Sequence, residues 1–91
     1  TIAKSVEYEL NQRNCTLIHA LGHGVGIDIH EKPILSVKSS TILKNNMVVT
    51  NEPGIYIPED IGIRIEDTIV INDRIPRILT NSSKHLTIID G

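Results

Sequence analysis

The sequence predicts an α+β fold, with one helix packed on a curved, mainly antiparallel sheet in a single unit spanning residues 1–91. Three observations carry that expectation. An apolar stripe of helical period occupies residues 1–13 and does not recur. Short runs rich in Ile and Val follow, alternating with polar residues at period two. Turn signals separate these runs and give them hairpin-like links.

In order, Ile2, Val6 and Leu10 fall on one helical face. Thr1 suits the cap, Glu9 and Arg13 the i,i+4 pair, and Asn14 the stop. Thr16–Ala20 reads as a short strand. Next, GHGVGIDIHE alternates Val25, Ile27 and Ile29 with Gly26, Asp28 and His30, a strand with one polar face that Pro33 ends. Residues 34–46 form a polar connection with a short strand at Thr41–Lys44 and a turn at Asn45-Asn46. Met47–Glu52 is strand-like, Pro53-Gly54 signals a turn, and Pro58-Glu59-Asp60 signals another. Ile61–Asn72 gives the clearest strand, with Ile61, Ile63, Ile65, Ile69 and Ile71 on one side and Gly62, Arg64, Glu66, Thr68 and Val70 on the other. Asn72-Asp73-Arg74 turns, and Leu86–Ile89 makes a last strand after a turn begun by Ser82 or Ser83.

Composition narrows the function. The chain has no Phe or Trp and two Tyr, so its core is built from Ile, Leu and Val, and stacking on nucleic-acid bases is not expected. A formal net charge of −2 gives no electrostatic reason for a nucleic-acid or acidic-membrane partner. No apolar run approaches the ~20 residues of a membrane span, and the first residues lack the features of a signal peptide. Cys15 is the single cysteine, which fits a reducing, cytoplasmic setting. The chain starts without Met in a helical pattern, a hint that it was cut from something longer.

Three of the four histidines, His19, His23 and His30, lie close together, with Gly22, Gly24 and Gly26 among them. One such His reads as a hydrogen-bonded core residue. Three with interleaved glycines point to a site, because glycine in a strand marks close approach of a ligand or another backbone. Glu52, taken alone, reads as a solvated carboxylate at a strand end. Glu66 sits mid-strand beside Arg64, and an ionised Glu among isoleucines is costly to bury unless paired or metal-bound. The plainer alternative is a surface Arg64–Glu66 pair. One His and two Glu suit Mn, Fe, Co or Zn, but they lie on three separate strands, so only the fold brings them together. Cys15 lacks the setting of a thiol nucleophile. No G-x-S-x-G or phosphate loop is present, and GHGVG lacks the lysine of a phosphate site.

Taken together, HALGHGVGIDIHEKP, MVVTNEPGIYIP and GIRIEDTIVI resemble the C-terminal signature blocks of Xaa-Pro aminopeptidases and Xaa-Pro dipeptidases (prolidases). These are metallopeptidases of the creatinase/methionine aminopeptidase "pita-bread" fold. LTNSSKHLTIID is similar to the usual close of that domain. The resemblance implies the C-terminal half of a pita-bread fold and hydrolysis of the peptide bond before proline. It implies His23, Glu52 and Glu66 as metal ligands, with Glu66 bridging two divalent ions, commonly Mn, with Co or Zn as alternatives. Glu52, His30 and His19 are then the catalytic set, and His19, His30, Arg64 and Tyr56 contact the peptide. Tyr56 after the E-P-G block, and Asp67 rather than His after Glu66, resemble the proline-specific branch.

The family's two other ligands are aspartates eleven positions apart, and none of Asp28, Asp60, Asp67, Asp73 and Asp90 makes such a pair. The expectation is therefore a C-terminal fragment, inactive alone, binding metal weakly or not at all. Its partners would be a proline-containing peptide and the absent N-terminal part. Uncovered sheet edges would also favour a homo-oligomer. The alternative is a non-catalytic pita-bread binding module.

Overall fold

The computed structural model describes residues 1–90. Its elements are α1 (Ile2–Gln12), β1 (Gly22–Gly24), β2 (Glu31–Leu35), β3 (Val48–Asn51), β4 (Gly54–Ile57), β5 (Ile61–Arg64), β6 (Asp67–Val70) and β7 (Arg77–Ile78). The strands form a five-stranded sheet, β2-β1-β3-β6-β7, and a two-stranded sheet, β4-β5. Every pairing is antiparallel. The α+β expectation, a helix on a mainly antiparallel sheet, is what the chain forms. Among the described residues no helix is long and apolar enough to cross a membrane.

The helix begins and ends as its residues dictate. The Thr1 hydroxyl accepts the Lys4 N–H at 3.1 Å, an N-cap that satisfies one of the free first-turn donors. Arg13 reaches Glu9 at 3.1 Å, and Asn14 takes the left-handed φ of 58° that ends the helix. The buried face is rotated from the predicted stripe. Ala3 is buried, whereas Ile2 is 51% exposed. The small Ala3 lets the helix lie close to Leu21, Leu35 and Val49, with Val6 and Leu17 packed around them.

Several predicted strands are not formed. Thr16–Ala20 has no ladder partner. Residues 25–30 form a loop, in which Ile27 and Ile29 face solvent. The Glu31 carboxylate holds that loop by accepting the Asp28 N–H at 2.8 Å, and a Cβ on Gly26 would overlap it. Pro33 lies inside β2 and does not end a strand. Thr41–Lys44 and Leu86–Ile89 form none either. Leu86, Ile88 and Ile89 are exposed and meet no sheet edge. The Ser83 turn is present, its hydroxyl accepting the His85 N–H at 3.2 Å. β7, by contrast, was not expected from the sequence.

The long strand predicted over Ile61–Asn72 is divided into β5 and β6 at Ile65-Glu66. Across the break the register does not change. Asn51 pairs with Asp67 and, beyond the gap, Gly54 pairs with Arg64. No residue is inserted on either side, so Glu52 and Pro53 fall opposite Glu66 and Ile65. The Ile65 N–H still reaches the Pro53 carbonyl at 3.3 Å. β3–β4 and β5–β6 are thus one long hairpin with a lapse in its ladder, closed by a turn at 58–60 where Glu59 has a φ of 61°.

Candidate functional site

β1 carries one side chain between two glycines. A Cβ on Gly22 would overlap the Thr50 carbonyl, and one on Gly24 would overlap the Lys32 carbonyl. Backbone crowding from β3 on one side and β2 on the other therefore requires both glycines, and His23 is left as the group this strand presents. At Gly22 and Gly24 the close approach is that of neighbouring backbone, and at Gly26 that of the Glu31 side chain.

His23 is tied down at several points. Its Nδ1 lies 2.8 Å from the Gly24 carbonyl. A carbonyl only accepts, so Nδ1 carries a hydrogen and Nε2 is the nitrogen turned toward Glu52. Nε2 stands 3.3 Å from Glu52 Oε2, both side chains being about 15% exposed. The His30 ring meets His23 edge-on, with centroids 4.6 Å apart. His19 is oriented in the same way, its Nδ1 lying 2.7 Å from the Ala20 carbonyl. Its Nε2 is buried with no hydrogen-bond partner. Tyr56 packs edge-on against His19 at 5.6 Å.

These groups share a cleft of about 380 Å³, lined by His19, His23, His30, Ile34, Glu52 and Arg64 among others. Glu66 does not line it. It is exposed and borders a neighbouring cleft of about 250 Å³, with Arg64 bordering both. Its predicted mid-strand position is thus corrected, since it sits in the lapse between β5 and β6. Among the described residues no group of three His, Cys, Asp or Glu side chains is gathered closely enough to hold one ion. The expected three-residue convergence is therefore incomplete. His23 and Glu52 meet, and Glu66 stands opposite Glu52 in register with its side chain in the next cleft.

The donor set nevertheless fits a divalent cation. An imidazole nitrogen of His23 and a carboxylate oxygen of Glu52 stand 3.3 Å apart in one cleft, and both are ordinary ligands of such ions. Glu52 and Glu66 at facing positions of one hairpin also repel, which a shared cation relieves. A ring N–H donated to a backbone carbonyl is the usual outer support of a metal-binding histidine.

Sequence reasoning missed Thr50. It is 4% exposed, and its hydroxyl touches both the His23 backbone and Glu52. The available signal was its place two residues before Glu52, on the same face of one strand.

Residues 2–73 match the model of metallopeptidase family M24. An Xaa-Pro dipeptidase of Pyrococcus furiosus is 52% identical over 69 residues, which is 76% of this chain and 20% of that protein. Among solved structures, an Xaa-Pro dipeptidase from Bacillus anthracis superposes with a TM-score of 0.88 at 38% identity, over 96% of this chain and 25% of its own. An X-Pro aminopeptidase from Thermotoga maritima superposes with a TM-score of 0.91 at 31% identity, over 97% of this chain and 26% of its own. The chain spans about a fifth of the length of the curated relatives it matches.

Proposed function

The chain belongs to metallopeptidase family M24, and from that premise we propose that it is the C-terminal part of a peptidase that cleaves the bond before proline. The observation that carries this reading is the His23–Glu52 pair at 3.3 Å, set in a cleft with His19, His30 and Arg64. The names of its relatives, Xaa-Pro dipeptidase and X-Pro aminopeptidase, support the specificity.

His23, Glu52 and Glu66 are this chain's share of the ligands for two divalent ions, Mn by first choice. What such ions supply is a lowered water pKa and a polarised scissile carbonyl. The chain's own groups do the rest. Glu52 takes a proton from the attacking water and returns it to the proline nitrogen, a secondary amine that leaves poorly without it, as the bond to the carbonyl carbon breaks. His30 donates a hydrogen bond where negative charge grows on the carbonyl oxygen. His19, its Nδ1 committed to the Ala20 carbonyl, lines the cleft wall against which the peptide lies. Arg64 pairs with a substrate carboxylate, and Tyr56 holds His19 in place. The working protein includes an upstream part that provides the remaining ligands, and it acts in the cytoplasm.

The test joins the chain to the sequence preceding it in its own protein and assays a Xaa-Pro dipeptide and a longer Xaa-Pro peptide with Mn²⁺. The expected result is cleavage by the joined protein, loss of cleavage in His23→Ala and Glu52→Gln, and none by the 91-residue chain alone. Sustained turnover by the 91-residue chain, or none by the joined protein, overturns the proposal.

A further inference from the structure

Thr50 makes two hydrogen bonds through one oxygen. Its hydroxyl accepts the His23 N–H at 3.0 Å and donates to Glu52 Oε2 at 2.8 Å. The hydroxyl has a single hydrogen, and a carboxylate only accepts, so the direction of both bonds is settled. Thr50 is buried on β3 and lies opposite Thr68 of β6. The bond to His23 falls between the backbone links Glu52 N–H to Leu21 carbonyl (2.7 Å) and Val25 N–H to Val48 carbonyl (3.1 Å). A side-chain oxygen thus takes an N–H at the point where β1 pairs with β3. Gly22 makes this possible, since a Cβ there would come within 2.9 Å of the Thr50 hydroxyl.

We infer that Thr50 is a positioning residue that sets His23 and Glu52 relative to each other. The Glu52 oxygen it holds, Oε2, is the one that faces His23 Nε2. The hydroxyl therefore fixes the rotation of the carboxylate and leaves Oε1 as the oxygen free for other work. It also anchors the main chain from which the His23 ring projects. A single atom thus links two groups that are neighbours in space and far apart in sequence. The consequence for metal binding rests on the function proposed above, whereas the orientation itself does not.

The experiment compares Thr50→Val, Thr50→Ser and the unaltered 91-residue chain, free of metal, by NMR. Valine keeps the shape and the preference for strand but removes the hydroxyl, and serine keeps the hydroxyl. The readouts are exchange of the His23 amide hydrogen and the cross-peaks between the His23 and His30 rings. In Thr50→Val, amide exchange is expected to speed up at least tenfold and the ring cross-peaks to weaken, while Thr50→Ser retains both. If Thr50→Val does not fold, Thr50→Ala against Thr50→Ser decides in the same way. A folded valine or alanine variant that keeps both signals overturns the inference. In the joined protein, Thr50→Val is expected to weaken Mn²⁺ binding by about 10–100-fold, with recovery in Thr50→Ser. Unchanged Mn²⁺ affinity overturns the metal consequence. Because the first arm reads neither activity nor metal, failure of the peptidase proposal leaves its outcome interpretable.

Discussion

The pairing of β1 with β3 and the hairpin of β4 and β5 are both antiparallel, yet they end in opposite environments. Where β1 meets β3, Leu21 and Val49 are fully buried, and Thr50 next to Val49 has both hydrogen-bonding roles filled. On the hairpin Ile55 faces Ile63 and Ile57 faces Ile61. These four form one apolar surface, and every member is exposed. Period-two patterning thus states which face of a strand is apolar, but not what covers it. The hairpin's other face is used, since Tyr56 packs on His19 and Arg64 lines the cleft. A two-stranded ribbon is marginal by itself, and the rest of the described chain leaves this apolar face uncovered.

The sharpest way to break this comparison is to truncate one apolar residue in each region. Leu21→Ala is expected to cost about 2–5 kcal/mol, a heavy loss when only Ala3, Leu21, Leu35 and Val49 form the buried apolar core among the described residues. Ile57→Ala, at a site 52% exposed, is expected to stay within about 0.5 kcal/mol. Urea unfolding measures both, and equal losses would erase the contrast. Gly22→Ala comes next, at about 1–3 kcal/mol, because its Cβ meets the Thr50 carbonyl. An unchanged unfolding midpoint would show that the β1–β3 pairing has more room than the structure gives it.

The open ribbon makes a prediction of its own. Ile57→Lys combined with Ile63→Lys is expected to lower self-association at high concentration, read by light scattering, with little change in stability. An unchanged mass distribution would contradict a role for this face in self-association. The smallest effect is expected at Glu9→Gln. Its ion pair with Arg13 is about 70% exposed on both sides, and removing it should cost at most about 0.5 kcal/mol by thermal unfolding.

Much of the architecture was legible because local chemistry decides it. Thr1, Asn14 and the turns at Asn45-Asn46 and Pro58-Glu59-Asp60 act through short-range geometry, and each behaves as its residues dictate. The strands that do not form have only a local pattern behind them, an alternation or a short apolar run. Residues 25–30 alternate cleanly but belong to a loop held by the Glu31 carboxylate. Leu86–Ile89 is apolar but meets no sheet edge. The lapse at Ile65-Glu66 was hidden because the register, and therefore the pattern, continues through it. At the site, His19, His23, His30, Glu52 and Arg64 were legible from residue type and motif, and the structure gathers them. Thr50 was not, because a hydroxyl in a strand looks like any other polar position until its two partners are seen.

The central claim is that His23 and Glu52 form half of a cation site facing Glu66 across one hairpin. Substoichiometric Mn²⁺ added to the 91-residue chain tests it most directly, through paramagnetic broadening of individual NMR signals. The account predicts that His23, Glu52 and the adjoining His30 broaden first, with Glu66 following. Broadening that begins at outlying carboxylates such as Glu7 or Asp73, with His23 left sharp, would contradict it.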